Sequence, residues 1–516
     1  MFRKITDKLL EFADGILNRV TMYRLILYYL SLLLFIALVL SFSGTFSFGP
    51  LDIAVSAATI FAACWITNKL FAGIFEAPTN VESVYITALI LTLIITPIKL
   101  PSLEMFPLFI WASIWAMAAK YILTIKKKHL FNPAAFGVAL TALTIGQSAS
   151  WWAGNRILLP FVILGGVLIV RKIVRTDLAL SFLGFALVSI SFFGIVNGSG
   201  FFSNLSKAFL DSPLLFFAFV MITEPLTTPP TRALRIAYGA LVGLLFAPAV
   251  HIGSIYSTPE LALLAGNVFS YLVSPKKKLV LNVKKKTKIA SDTYDFSFSP
   301  KERIKFRPGQ YMEWTLEHVH PDSRGNRRYF TIASSPTERE LLIGVKFYPE
   351  ASSFKKSLLA MNGRNRIVAS QLAGDFTLPR NKNKKLVFLA GGIGITPFRS
   401  MIKYLVDKNE LRRVTIFYSN KNVDEIAYRE ILDEAKEKLG IRVVYTLTDI
   451  KQIPSGWDGS QGRISPAMIM QEVPDYKRCL FYISGPRAFV VANETMLQDT
   501  GIPQNNIKTD FFPGFV

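Results

Sequence analysis

Three short stretches bring together side chains that suit a charged, flat ligand. In Arg328-Tyr329-Phe330-Thr331-Ile332-Ala333-Ser334 a guanidinium, a ring and a hydroxyl follow one another. On a strand, Arg328 and Phe330 share one face, because successive side chains alternate. Arginine suits a diphosphate through paired, charge-assisted hydrogen bonds. Phe330 can stack on a flat ring, and Thr331 can bond its edge. An exposed arginine on an ordinary strand is the competing reading. The second stretch is Gly391-Gly392-Ile393-Gly394-Ile395-Thr396-Pro397. Its glycines let a phosphate approach the backbone, and a helix starting there adds N–H groups and a positive dipole end. Pro397 fits a first helical turn. The third is Ile483-Ser484-Gly485-Pro486, which closes an apolar run. Ligands of parallel sheets gather at such strand ends. The chain closes on Asp510-Phe511-Phe512-Pro513-Gly514-Phe515-Val516, whose aromatic cluster reads by itself as core.

The elements that must hold these groups are legible around them. Residues 278–381 alternate apolar and polar, as in Leu279, Leu281, Val283 and then Tyr294, Phe296, Phe298. This predicts short strands and an antiparallel barrel. From residue 384 the rhythm changes. Leu386–Ala390, Val414–Tyr418, Val443–Tyr445 and Leu480–Ile483 read as buried strands, and Thr396–Val406 and Ala427–Lys438 as helices. Strands alternating with helices predict a parallel α/β sheet.

Ahead of these lies a different kind of chain. The 516 residues are 51% hydrophobic and 18% charged, yet Lys+Arg outnumber Asp+Glu 58 to 36, a net charge of +22. That composition excludes a disordered or collagen-like chain and a purely cytosolic enzyme. Most long apolar runs fall within residues 24–273, in about ten stretches of near-spanning length. Connections carrying Lys69, Lys126-Lys127-Lys128, Arg171, Lys172, Arg175, Arg232, Arg235 and Lys276-Lys277-Lys278 alternate with poorly charged ones. This is a positive-inside bias, and it accounts for much of the charge without nucleic acid. Both termini are then expected in the cytoplasm of a multi-pass cell-membrane protein. No cleavable signal peptide is evident. In residues 1–23, Ile5, Leu9, Phe12, Ile16 and Val20 recur at helical spacing. They predict an interfacial amphipathic helix or a surface helix. Glu76-Ala77-Pro78-Thr79 and Glu224-Pro225-Leu226-Thr227 form a faint internal echo, placed as two inverted halves would place it. Two cysteines, Cys64 and Cys479, are too few for a disulfide framework or an iron–sulfur cluster.

The order of the three motifs makes residues 278–516 resemble the ferredoxin-reductase family of flavoproteins along their whole length. The resemblance implies an FAD barrel over 274–381 and an NAD(P)-binding domain over 382–516. It implies Arg328 at the FAD pyrophosphate with Ser353, Phe330 on the isoalloxazine and Thr331 near N5. Gly391, Gly392, Gly394, Thr396 and Pro397 correspond to the NAD(P)H-binding turn. Gly485 and Pro486 correspond to the Cys-Gly-Pro motif at the nicotinamide, with Ser484 in place of the usual Cys, which predicts slower hydride transfer. Phe512 or Phe515 would shield the flavin. Thr331, Ser484 and Phe515 are thus the catalytic expectations. Lys421 could hold a 2′-phosphate; a solvated lysine is the competing reading, so NADH or NADPH stays open.

Two breaks stand out in the membrane half: Lys128-His129-Leu130-Phe131-Asn132-Pro133-Ala134 and Thr223-Glu224-Pro225-Leu226-Thr227-Thr228-Pro229. Backbone interrupted at membrane depth must line a cavity or be buried in protein. A helix cap and a plain loop are the competing readings. With the span count, these stretches make residues 24–273 similar to the family of flavin-carrying membrane subunits found in the sodium-pumping NADH:quinone reductase and in the Rnf complex. That resemblance implies a ten-helix subunit carrying flavin. The Ser-Gly-Ala-Thr site of covalent FMN is missing, so a non-covalent FMN or riboflavin is the remaining option, with Asn132, Thr227 and Thr228 as lining.

The expected architecture is therefore multi-domain. An amphipathic segment (1–23) precedes a polytopic helical membrane domain (24–273), an antiparallel FAD barrel and an α/β NAD(P) domain. The expected activity takes hydride from NAD(P)H to FAD and passes electrons to a membrane flavin, a quinone or a partner protein. FAD supplies the step from a two-electron donor to single electrons. Haem is not expected, because no apolar stretch carries a histidine pair among His129, His251, His318 and His320. The alternative is a transporter or ion-coupled subunit whose flavin domain regulates or energises transport.

Overall fold

A computed structural model describes residues 15, 17, 20–75, 81–125, 128–198, 200–274, 278–319, 321–322 and 325–510. Most of the amphipathic segment, the 76–79 half of the echo, His320 and the terminal Phe512 and Phe515 lie outside the described residues. The chain divides into two units, Met1–Lys277 and Lys278–Val516.

The first unit is helical. Its helices are α1 (Met22–Ser41), α2 (Pro50–Ile74), α3 (Val81–Ile94), α4 (Phe106–Ile122), α5 (Pro133–Ile145) and α6 (Leu159–Ile173). They continue with α7 (Thr176–Val196), α8 (Phe201–Leu210), α9 (Leu214–Met221), α10 (Arg232–Leu245) and α11 (Pro259–Val273). Proline opens α2, α4, α5, α6 and α11, where its missing N–H costs nothing. Asn132 and Thr258 cap α5 and α11 through their side-chain oxygens. Several helices are apolar all round: Leu32, Phe35 and Val39 of α1 and Leu180, Val188 and Ile195 of α7 are exposed.

The ten expected spans are not all of spanning length. Among the described residues three helices, α1, α2 and α7, are long and apolar enough to cross a membrane, or four if the bent pair α8–α9 is one span. Proline and polar breaks shorten the others: Thr96-Pro97 follows α3, Asn132-Pro133 opens α5 and Glu224-Pro225 follows α9. The last four residues of α9, with Phe217, form a π-helical turn. Such turns mark strain or function inside helices.

One buried ion pair joins α7 to α10. Arg235 donates to Asp177 Oδ2 through Nη2 at 2.6 Å and Nε at 2.9 Å, both side chains being 11% exposed. Breaking such a pair strands a buried charge and costs about 3–5 kcal/mol. Arg235→Ala is therefore expected to lower the detergent-solubilised unfolding temperature sharply. The double variant Arg235→Met/Asp177→Leu is expected to recover most of that loss.

The second unit opens with strands β1 (Leu279–Ala290), β2 (Thr293–Phe298), β3 (Tyr311–Thr315), β4 (Arg327–Thr331), β5 (Leu341–Lys346) and β6 (Arg366–Ala373). Their order is β4-β3-β6-β1-β2-β5, every pair antiparallel. The two edges are brought together just past β4, where Ala333 N–H donates to the Leu342 carbonyl at 2.8 Å and Leu342 N–H to Ser334 Oγ at 3.0 Å. The sheet thus curls into a barrel filled by Phe296, Phe298, Trp314 and Ile343. Helix α12 (Ser353–Ala360) follows β5.

A parallel sheet comes next: β7 (Leu386–Gly391), β8 (Val414–Asn420), β9 (Arg442–Leu447), β10 (Ser460–Gln461), β11 (Leu480–Ser484) and β12 (Ile507–Asp510), in the order β10-β9-β8-β7-β11-β12. Helices α13 (Thr396–Lys408) and α14 (Arg429–Leu439) cover one face, α15 (Pro466–Glu472) and α16 (Arg487–Asp499) the other. With both faces covered, β7 is buried throughout and reads as an unbroken apolar run. The order reverses between β8 and β11 on either side of β7. Sheets of this kind bind ligands at that point, beyond the strand C-termini.

Candidate functional site

A cleft of about 800 Å³ opens there, and its walls include Gly391, Gly392, Ser419, Asn420, Lys421 and Pro486. The glycine-rich turn runs from β7 through a short 3-10 turn (Gly392–Ile395) into α13, with Pro397 in its first turn. Gly392 has φ +52°. A Cβ on Gly394 would sit 2.3 Å from the Ser484 carbonyl oxygen and 2.5 Å from Gly485 Cα. Glycine is therefore needed for the glycine-rich turn and the Ser484-Gly485-Pro486 stretch to touch, and the two form one surface. Thr396, 7% exposed, bonds back to the Ile393 carbonyl instead of facing the cleft. Arg463, which no motif had singled out, joins Lys421 in the lining, and both are exposed.

On the barrel, Arg328 and Phe330 both lie against Phe354 of α12. The guanidinium is 5.1 Å from that ring's centre and the Phe330 ring 6.0 Å. Ser353 begins α12, and its N–H donates to Asp322 Oδ2 at 3.0 Å. The other Asp322 oxygen lies 3.7 Å from Arg328 Nη2. A guanidinium and a helix N-terminus thus converge on one carboxylate, the donor set that a diphosphate needs. The residues fit the FAD pyrophosphate, with the Asp322 carboxylate as its stand-in. Ser353 Oγ accepts from the Asp322 N–H and bonds His318 Nε2, both at 2.9 Å.

The two halves of the unit meet at Thr331. Thr331 lies beside the Asp510 carboxylate, close enough to act on its proton, and Asp510 pairs in register with Ser484 across β11 and β12. Thr331, Ser484 and Asp510 are thereby gathered, although they come from three strands. Asp510 was not anticipated. Only its place before the terminal aromatics could have marked it. Desolvation pushes its carboxyl up to about 7, against the neighbouring Thr331 hydroxyl, which lowers it. Phe515, the third catalytic expectation, and Phe512 fall outside the described residues.

In the helical unit Asn132, Thr227 and Thr228 are all buried. Asn132 Nδ2 and Thr227 Oγ1 both donate to Glu224 Oε2 at 3.0 Å. The Asn132 N–H donates to Asn267 Oδ1 at 2.8 Å, and Asn267 donates to the Tyr238 hydroxyl at 3.0 Å. Thr228 is not part of this network; it bonds the Pro225 carbonyl at 3.3 Å. The centre of the cluster is Glu224, which the sequence places in a break and among the few ionisable residues near the apolar stretches.

Over residues 388–494 the chain matches the oxidoreductase NAD-binding domain. It is 28% identical over 241 residues to a flavohemoprotein of Oceanobacillus iheyensis, covering 44% of this chain and 57% of that protein. It is 27% identical over 234 residues to NADH-cytochrome b5 reductase 1 of Ajellomyces capsulatus, covering 42% and 74%. The C-terminal half is thus a module with an oxidoreductase NAD-binding domain, similar to flavohemoproteins and to an NADH-cytochrome b5 reductase. The cytochrome b5 reductase domain of Ulva prolifera nitrate reductase aligns with TM-score 0.42 at 20% identity, covering 46% of this chain and 98% of that domain. The chain spans 57–59% of the length of the flavohemoproteins it first matches.

The Asp510 carboxyl of this module sets a pH dependence. Its folded proton affinity exceeds the unfolded one, so its contribution to stability is complete below about pH 4 and is lost as pH rises through about 7. Asp510→Asn removes that loss. The variant is expected to gain unfolding temperature relative to the parent at pH 8, with the gain shrinking by pH 5. An equal difference at both pH values would place the Asp510 proton elsewhere.

Proposed function

We propose that this chain is a membrane-bound oxidoreductase in which NAD(P)H in the sheet cleft reduces FAD on the barrel, and the electrons leave to an acceptor at the membrane. The gathering of Thr331, Ser484 and Asp510 between the two motif sets, one on the barrel and one on the sheet, carries this reading. FAD, when bound, accepts the hydride and hands electrons on singly. Arg328 and the start of α12 would hold its diphosphate, Phe330 would pack against its ring, and Thr331 would offer its hydroxyl to the ring's edge. Gly391 and Gly392 in the cleft wall would let the nucleotide phosphates reach the backbone, Gly394 lets the Ser484-Gly485-Pro486 stretch pack against that turn, and Pro486 would border the nicotinamide. Ser484 stands where the family's usual Cys assists transfer. Lys421 and Arg463 at the cleft supply two cations for a 2′-phosphate, which favours NADPH over NADH.

For residues 24–273, the all-round apolar helices α1, α2 and α7 and the arginine- and lysine-bearing connections support a multi-pass location. The two motif-bearing breaks, read from the sequence as resembling the membrane subunits of the sodium-pumping reductase and the Rnf complex, are what points to a flavin, a quinone or a partner protein as acceptor. The Asn132–Thr227–Glu224 network supports a polar site at the break, although both donors are engaged by the Glu224 carboxylate. This reading is haem-free: of the described histidines, His129 and His251 sit in two-residue strands outside the helices, and His318 is bonded within the barrel. A Soret band on the purified chain would overturn that part. The second reading, an ion-coupled subunit, draws on two carboxylates inside the helical unit: Glu224 and Glu260, the latter accepting from Trp151 Nε1 at 3.0 Å. NAD(P)H-driven ion movement in proteoliposomes separates the two.

Flavin analysis of the purified chain tests the proposal. FAD released on denaturation is expected, and no flavin after reconstitution would sink it. FMN or riboflavin released as well would extend the path into the helical unit. Arg328→Ala is expected to weaken FAD retention about tenfold or more, the cost of a charge-assisted hydrogen bond. Lys421→Ala with Arg463→Ala is expected to raise KM for NADPH about tenfold and leave NADH within twofold, measured by ferricyanide reduction.

A further inference from the structure

A cluster of ionisable and hydroxyl groups lies between the barrel and the parallel sheet, outside the cleft and the diphosphate site. Arg399, 6% exposed, sits one turn into α13. Its Nη1 donates to the Ala333 carbonyl at 3.1 Å, and its Nη2 donates to Glu338 Oε1 at 2.9 Å. Nη1 also donates to the second oxygen of Glu338. The next residue, Ser400, donates to the Ser334 carbonyl at 2.6 Å. Glu338 in turn accepts the Ser335 N–H at 2.6 Å. On the far side the Arg399 guanidinium lies 5.7 Å from the centre of the Tyr428 ring, and Tyr428 donates its hydroxyl proton to Asp295 of β2.

We propose that Arg399, Glu338, Tyr428 and Asp295 form a positioning clamp. It fixes the strand that carries Phe330 and Thr331 against the glycine-rich turn and so sets the separation across which hydride passes. The proposal rests on the hydride-transfer reading above. Ala333 and Ser334 lie two and three residues past Thr331, and their partners Arg399 and Ser400 lie three and four residues past Thr396. At residues 333 and 334 the acceptors are backbone carbonyls, so a shift of α13 reaches the backbone just past Thr331 through a single side chain at each attachment. Sub-ångström placement of reacting groups is worth up to about a hundredfold in rate.

Two features show that this junction is held at a cost. Tyr428 adopts φ +58°, the left-handed region that an aromatic residue rarely occupies. Gly344 of β5 faces it so closely that a Cβ would lie 2.4 Å from the Tyr428 hydroxyl and 2.8 Å from Thr396 Cγ2. Apolar packing would close the seam without burying charge. The charged groups facing Asp295 are Arg399, which favours its ionised form, and Glu338, which opposes it; the Tyr428 hydroxyl also favours ionisation. Burial outweighs these and pushes the Asp295 carboxyl up to about 6. Above that pH the ionised carboxylate draws in both Tyr428 and Arg399; below it that attraction is lost. Flavin reduction is therefore expected to slow as pH falls through about 6.

The test uses the full-length, FAD-loaded chain in detergent, mixed rapidly and without oxygen with NADH or NADPH, following bleaching of the flavin from pH 5 to 8. Asp295→Asn is expected to reduce FAD about tenfold more slowly at pH 7.5, to keep FAD content and nucleotide affinity within twofold, and to lose the inflection near pH 6. Tyr428→Phe, which deletes one hydroxyl and carries the test if the first variant folds poorly, is expected to flatten the same inflection. A variant that keeps the parent rate and the parent inflection overturns the clamp. A parent chain that neither nucleotide bleaches overturns the hydride-transfer reading itself, and so is told apart from failure of the clamp alone.

Discussion

Hydride passes only between rings in contact, so two sheets of unlike architecture have to meet at one fixed point. In the proposed reading the second unit meets this constraint at the end of β4. There the barrel's two edges are tied by Ala333 and Ser334, and the carbonyls of the same two residues receive Arg399 and Ser400 from the parallel sheet's first helix. Barrel closure and domain placement thus share one backbone segment. The groups that would touch both rings, Thr331 from the barrel and Ser484 with Asp510 from the sheet, lie within that arrangement. The diphosphate donors and the glycine-rich turn are separate local devices held in place by it.

Local devices were the legible part. Arg328-Tyr329-Phe330-Thr331 and Gly391-Gly392-Ile393-Gly394 each carry their chemistry within a few residues, and the strand alternation that puts Arg328 and Phe330 on one face reappears as their shared contact with Phe354. The strand-and-helix rhythm after residue 384 was legible for the same reason, since a doubly covered parallel strand must be apolar throughout. The clamp was not legible. Asp295, Glu338, Arg399 and Tyr428 are scattered over more than a hundred residues, each looks like an ordinary surface residue in its own context, and only the closed barrel brings them together. Asp510 escaped notice because a carboxyl acquires its character from burial and from Thr331, neither of which has a sequence pattern.

The helical unit shows a different limit. Apolar content marked the helices, but a run of apolar residues does not reveal where the backbone stops being helical. Proline and capping residues at 97, 132–133 and 224–225 cut the expected spans short and leave three or four of full length among the described residues. At the 132 and 224 breaks a polar network takes up the side chains, and at 132 the helix-cap reading holds as well. Asn132 serves twice, capping α5 through Oδ1 and donating to Glu224 through Nδ2. Broken helices with buried polar groups at the break are the usual way that a membrane bundle builds a site.

The most direct test of the account is single-turnover reduction of the FAD-loaded, full-length chain by nicotinamide nucleotide deuterated at one face of C4. The account predicts bleaching of the flavin with a primary isotope effect for one face only. Bleaching with no isotope effect for either face, or no bleaching at all, would contradict hydride transfer between the cleft and the barrel.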